Sequence, residues 1–180
     1  APSFNKYLPN KKKKVKKTYK YTLALCGIYS LDESLISWVI FALSRNSNIK
    51  VIIKPHPMLS IQKFQNLIPR KLSNQIIISN EPADILLQKS EFLISSGPTS
   101  IVFESLLHGC KLLYINLDPS DIFILKKKLI KKENFKFIKK KYSLLKIMTK
   151  YNNLPIRKNN YKKQSFFYSK LTNNNLKFFY

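Results

Sequence analysis

The stretch Ser95-Ser96-Gly97-Pro98-Thr99-Ser100-Ile101-Val102-Phe103-Glu104 reads as the junction of a β-strand and an α-helix. Glu91 to Ser95 is a short apolar strand. It ends in a small polar turn, and Thr99 to His108 follows with helical apolar spacing until Gly109 stops it. The first amides of such a helix lack intrahelical partners and lie at the positive end of its dipole, so the junction suits an anion. Gly97 lets a ligand approach the backbone, Pro98 fits an early helical position, and Ser95, Ser96, Thr99 and Ser100 supply hydroxyls. Two readings stay open for the turn alone: a phosphate site, or a helix cap formed by Ser96 or Thr99.

Working outward, the same strand-then-helix unit recurs. Tyr21 to Cys26 is a buried strand closed by Gly27. Ser30-Leu31-Asp32-Glu33 has the form of a capping box, with Ser30 as N-cap, and it opens a helix whose stripe is Leu35, Trp38, Val39, Ala42 and Leu43. The box accounts for Asp32 and Glu33 as helix N-terminal acids rather than a catalytic pair. Lys50 to Lys54 is the second strand, stopped by Pro55-His56-Pro57, and a short helix follows from about Ser60 to Leu67. Gln75 to Ser79 is the third strand, Pro82 to Gln88 a helix with Asp84 in its first turn, and Lys111 to Asn116 the fifth strand. A helical pattern covers about Ser120 to Lys128, Phe135 to Ile138 is a candidate strand, and Tyr142 to Tyr151 a helix. The expected fold class is α/β: a Rossmann-like parallel sheet of five or six strands flanked by helices. The expected organisation is a basic linker or leader over 1–19, the Rossmann-like domain over 20–128, and a helical extension over 129–180 that packs on it, with one more helix in 159–180.

Composition narrows the function classes. A chain of 180 residues with 44% hydrophobic content fits one domain with a real core. No apolar run approaches the roughly 18 residues of a membrane span, and no apolar segment follows the basic start as in a secretory signal. The chain begins Ala-Pro-Ser, which is expected of a piece of a longer protein. Net charge is +24, but Arg45, Arg70 and Arg157 are the only arginines, and abundant Lys, Asn and Ile point to the compositional drift of an AT-rich genome. Specific nucleic-acid recognition is therefore not expected, since base and phosphate readers favour the Arg fork. Cys26 and Cys110 sit in apolar contexts and read as buried reduced thiols, which favours the cytoplasm. Two His and two Cys form no zinc-type ligand set, so neither a metal nor a cofactor is expected.

Two strand ends carry the candidate chemistry. Gly27 and Gly97 each follow a strand and precede a helix, where ligands of open α/β sheets bind. Lys54-Pro55-His56-Pro57 belongs to the same sheet edge. The prolines stiffen the backbone around His56, whose imidazole can donate to a phosphate oxygen, with Lys54 beside it. Glu104 lies a turn inside the helix after Gly97, placed either for a ribose hydroxyl or for solvent. His108 is four residues further on and can reach Glu104, but reads as structural or incidental.

Lys54-Pro55-His56-Pro57 after a strand, then about 40 residues later Ser95 through Gly109, then the strand Lys111-Leu112-Leu113-Tyr114-Ile115-Asn116, resembles the C-terminal, donor-binding half of GT-B fold glycosyltransferases. The resemblance covers about residues 20–125. It is nearest to bacterial surface-polysaccharide enzymes, the sialyl- and polysialyltransferases and the CDP-glycerol glycerophosphotransferases. It implies that His56 contacts the donor phosphate and assists the leaving nucleotide as the catalytic residue. It implies further that Lys54, Ser95, Ser96, Gly97, Thr99 and Ser100 bind the donor, that Glu104 takes the ribose, and that Gly27 leaves room for the donor. The partners it implies are a nucleotide-activated sugar or polyol (CMP-, CDP- or UDP-linked), a saccharide or lipid-linked acceptor, and an N-terminal domain that carries the general base. The isolated chain is then expected to bind donor without robust turnover, in the cytoplasm, with peripheral contact at the inner face of the membrane.

Two other classes compete. Sugar-nucleotide 2-epimerases also place a Ser/Gly turn before a Glu-bearing helix, with a denser Gly motif and extra acids that are not found here. A basic α/β module for nucleic acid or an anionic membrane surface would use the charge directly, though no aromatic-and-basic RNA motif is present.

Overall fold

A computed structural model describes residues 17–60, 62–97, 99–117 and 135–155. In chain order the elements are β1 (Tyr19–Ala24), α1 (Tyr29–Leu43), β2 (Val51–Lys54), α2 (Gln62–Gln65), a 3-10 turn (Arg70–Leu72), β3 (Ile76–Ile78), α3 (Ala83–Lys89), β4 (Ser90–Ser95), α4 (Ile101–Leu107), β5 (Lys111–Ile115), β6 (Phe135–Ile138) and α5 (Lys141–Asn152). The expected helices at about Ser120 to Lys128 and within 159–180 lie outside the described residues, as do 1–16 of the leader.

All six strands are parallel, in the order β3-β2-β1-β4-β5-β6. This is the doubly wound Rossmann order, and the direction of winding reverses between β1 and β4. Side chains alternate between the two faces. Tyr21, Leu23, Val51, Ile53, Phe92, Ile94, Leu113 and Ile115 pack with α1, α2 and α5, whereas Ala24, Leu93, Leu112 and Tyr114 pack with α3 and α4. Because both faces are covered, the strands read as nearly unbroken apolar runs. The weak Phe135-Lys136-Phe137-Ile138 signal is a true strand, paired along β5 from Leu112↔Phe135 to Ile115↔Ile138. Tyr21 in β1 donates from its hydroxyl to the Met148 carbonyl at 2.7 Å, which ties α5 across the sheet.

Two sequence expectations change. The Ser30 capping box does not form: α1 starts at Tyr29 after Ile28, and no side chain caps it. The chain leaves β1 through Gly27 at φ +90°, enters the helix before Ser30, and so puts Ser30 inside the first turn. Lys17, which stands in the basic leader, is buried rather than solvated. Its ammonium donates to the Leu87 carbonyl at 3.0 Å and the His108 carbonyl at 2.9 Å, at the C-terminal ends of α3 and α4. A cation suits two negative helix ends. Burial holds this ammonium below the ordinary lysine value, opposed by Cys110 and Glu91. Burial also pushes the Cys110 thiol up to about 11, against the pull of Lys17.

Lys17→Ala is expected to lower unfolding free energy by about 1–3 kcal/mol, because the part-buried His108 carbonyl loses a charged donor while the Leu87 carbonyl keeps the Ser90 amide and the Cys110 thiol. Lys17→Met keeps the stem and is expected to lose less. Urea unfolding with an unchanged m-value measures both, and a change in the alanine variant below about 0.5 kcal/mol would show that the cation is not what holds these helix ends.

Candidate functional site

The C-terminal ends of β1 and β4 diverge at the sheet's switch point, and three turns converge there. The first is the β1–α1 turn. Asp32, fully buried in the first turns of α1, accepts from the Cys26 amide at 2.8 Å through Oδ1 and from the Gly27 amide at 2.9 Å through Oδ2. In dinucleotide-binding folds the equivalent amides face a pyrophosphate. Here a carboxylate of the chain itself takes them. Burial raises the Asp32 pKa, while those two amides and the nearby His56 pull it down. Asp32 is thus a clamp on the turn, through a different contact from the helix cap read in the sequence. One sequence signal was available: Asp32 falls on the same face as Leu35, Ile36 and Val39, where an acid must find partners.

The second turn follows β2. The His56 imidazole lies on Gly27: a Cβ at position 27 would come within 2.6 Å of Nδ1, 2.9 Å of Cγ and 3.0 Å of Cε1. His56 Nδ1 accepts from the Met58 amide at 3.2 Å. In the neutral ring the proton is then on Nε2, which is the nitrogen left to donate. Lys54 is half-buried at the end of β2, and its carbonyl accepts from the Leu25 amide at 3.1 Å.

The third turn follows β4. Gly97 has φ +74°, and a Cβ there would lie 2.9 Å from Cys26 Sγ and 3.2 Å from Leu31 Cδ1, so this turn packs directly on the first. Burial raises the Cys26 thiol to about 11, which leaves it a protonated packing group. The Ser95 hydroxyl donates to the Ala24 carbonyl at 3.4 Å, bridging β4 to β1. The Ser96 hydroxyl is different: the residue is 1% exposed, and its Oγ has no hydrogen-bond partner among the described residues. Thr99 is half-buried and Ser100 exposed, and no side chain caps α4. Ser100 donates to Glu104 Oε1 at 3.1 Å, so the Glu104 carboxylate is held over the start of α4.

The structure therefore brings Gly27 and His56 into contact and sets Ser95, Ser96 and Gly97 against the β1–α1 turn. Thr99, Ser100 and Glu104 continue from that turn into α4. His108 lies at the other end of α4, where burial and Lys17 lower its pKa and Asp84 opposes them. Among the described residues no group of three or more His, Cys, Asp or Glu is placed to hold a metal ion.

No protein-family model matches the chain. No curated protein sequence matches it either. Among solved structures it is similar to the C-terminal domain of a glycosyl transferase group 1 family protein (LpcC) from Francisella tularensis. The TM-score is 0.52 at 14% identity, over 97% of this chain and 93% of that one. The fold is thus a Rossmann-like α/β fold of the type seen in a GT-B glycosyltransferase C-terminal domain.

Proposed function

We propose that this chain is the donor-binding domain of a glycosyltransferase that takes a nucleotide-linked sugar or polyol, CMP-, CDP- or UDP-linked, for surface polysaccharide synthesis. The observation that carries the reading is the buried Ser96 hydroxyl at the switch point, which has no partner among the described residues. A buried hydroxyl costs about 1–3 kcal/mol unless something completes its hydrogen bond, and ligands of this topology bind at that crevice. A donor phosphate oxygen there accepts from Ser96 and from His56 Nε2, with Lys54, Thr99 and Ser100 adding charge and hydroxyls. Ser95 braces the strand end, Glu104 reaches the ribose, and Gly27 keeps the space that His56 uses. The fold shared with a glycosyltransferase C-terminal domain supports this reading.

The chemistry follows from this reading. An acceptor hydroxyl attacks the anomeric carbon (or phosphorus) of the donor, and the bond to the leaving phosphate oxygen breaks. The acceptor's proton goes to a general base in an N-terminal domain outside these residues. His56 and the hydroxyls stabilise the negative charge that grows on the departing phosphate, as preorganised donors do. The Asp32 clamp keeps the β1–α1 amides from that role, so the phosphate is held from the β2 and β4 sides.

Calorimetry with CMP, CDP, UDP and GDP tests the assignment. Cytidine or uridine nucleotides are expected to bind in preference to GDP. His56→Ala is expected to weaken binding about tenfold or more, and Ser96→Ala several-fold, as for one lost charge-assisted hydrogen bond each. Equal binding of every nucleotide, or affinity unchanged in both variants, overturns it. Robust transfer by the 180 residues alone overturns the placement of the base.

A further inference from the structure

The two edges of the sheet are built differently. β6, at one end of the strand order, carries the exposed Lys136 within its span. β3, at the other end, is Ile76-Ile77-Ile78, with no strand beyond it among the described residues. Native proteins blunt a free edge with a charge, a proline or a bulge, because its unpaired amides and carbonyls otherwise template another strand. β3 has no charge and no proline in its span, in a chain whose composition favours lysine. Ile77 is 48% exposed and Ile78 38%, and as neighbours on a strand they lie on opposite faces of that edge.

The ladder fixes which backbone groups are open. The Val51 amide donates to the Gln75 carbonyl at 2.8 Å, and the Ser79 amide donates to the Ile53 carbonyl at 3.0 Å. Positions 75, 77 and 79 therefore turn their backbone groups to β2, and Ile76 and Ile78 turn theirs outward. Gln75 pins the start of the strand, since its buried carboxamide donates at 2.9 Å to the Asn46 and Ile49 carbonyls. The open edge is thus held in place. Charge is sided along it. Arg70 and Lys71, both exposed, precede the strand, and Glu81, which also pairs with Lys89, follows it.

We propose that the β3 edge is a contact between two copies of this chain, paired antiparallel about a two-fold axis at Ile77. In that register Ile76 of each copy lies opposite Ile78 of the other. Each such pair exchanges two hydrogen bonds, so every outward amide and carbonyl of the two strands is used. Ile77 meets Ile77 of the second copy as a non-hydrogen-bonded pair, the closer kind, which covers the side chain exposed on that face. The axis also brings Arg70 and Lys71 of each copy toward Glu81 of the other. A two-fold contact requires a patch that complements itself, and this edge does so in both hydrogen bonds and charge. An unrelated extended peptide would be matched in hydrogen bonds alone. The sheet continues through both copies, and their Ser96 and His56 crevices face opposite ways. This inference does not depend on the nucleotide reading.

The test is sedimentation equilibrium of the full chain across a range of concentrations. The parent is expected to pass from monomer to dimer with an affinity in the micromolar range. Ile77→Lys is expected to fold, as circular dichroism checks, because the side chain is half exposed, and to stay monomeric. Tyr142→Lys makes the same charge change at an exposed ring on α5 and is expected to dimerise like the parent. Arg70→Glu/Lys71→Glu is expected to weaken the dimer about tenfold or more, and adding Glu81→Lys to recover most of that loss. Those reversals lower a net charge of +24, so general repulsion between copies predicts the opposite sign. Ile77→Cys reads the register. The Cα atoms of such a pair lie about 4.5 Å apart, within disulfide reach, and the native Cys26 and Cys110 are buried. Diamide is expected to link Ile77→Cys between copies and to leave Tyr142→Cys unlinked. A parent that stays monomeric, a dimer that survives Ile77→Lys, or equal cross-linking of the two cysteine variants overturns the proposal.

Discussion

Asp32→Ala is expected to lower the unfolding free energy by about 2–4 kcal/mol, among the largest losses available to a single side chain outside the apolar core. Two amides, Cys26 and Gly27, lose acceptors at 2.8 and 2.9 Å, and the turn that holds them is packed under Leu31 and Gly97. Removal of a buried carboxylate returns part of the cost, since burial raises the Asp32 pKa and so disfavours its charged form. Asp32→Asn is expected to fall between, because its carboxamide oxygen accepts from one amide while its NH2 faces the other. Ser30→Ala and Glu33→Ala supply the contrast. A working capping box would make those two the costly changes, whereas the observed helix start predicts losses below about 0.5 kcal/mol for each. Urea denaturation of the four variants decides the matter, and a ranking with Glu33 above Asp32 would refute the clamp.

Gly27→Ala is expected to damage site and fold together. A φ of +90° suits glycine, and an alanine there costs on the order of 1–2 kcal/mol in backbone strain. The larger effect is local: the new Cβ would sit 2.6 Å from His56 Nδ1. Pro55 and Pro57 restrict the backbone around His56, so the ring must turn and give up its acceptor contact with the Met58 amide. Nucleotide affinity is then expected to fall about as far as in His56→Ala, tenfold or more. Gly97→Ala is the control. It carries similar strain at φ +74°, but its Cβ meets Cys26 and Leu31 rather than His56. Paired denaturation and calorimetry should show similar stability losses in the two glycine variants, with the greater affinity loss at Gly27. Unchanged nucleotide affinity in Gly27→Ala would mean that His56 is not positioned through this contact.

The alternation of apolar runs with helical stripes was legible from residue types alone. Val51-Ile52-Ile53, Phe92-Leu93-Ile94 and Leu112-Leu113 are buried on both faces in the sheet, and Pro or Gly punctuates their ends. Their observed strands agree with the sequence boundaries to within two residues. The position of His56, Gly27 and the Ser95–Gly97 turn at the strand ends was legible too, from the Pro and Gly that close those strands.

What the sequence determined by itself, then, was the period: local spacing, turn residues and chain stiffness are encoded within a few neighbouring positions. The tertiary structure decided which groups share a hydrogen bond. Lys17 reaches the carbonyls of Leu87 and His108, which are 70 and 91 positions away, so a basic run that reads as solvated supplies a buried cation. Gly27 and His56 touch because β1 pairs with β2 from Tyr21↔Val51 to Ala24↔Lys54, a register set by the whole sheet. Asp32 holds the first turn rather than serving as part of a cap because the Cys26 and Gly27 amides become free only once the chain has turned at φ +90°. Hydrogen-bond partners are chosen among whatever groups folding leaves unpaired and buried, and that set exists only when the distant parts of the chain have met.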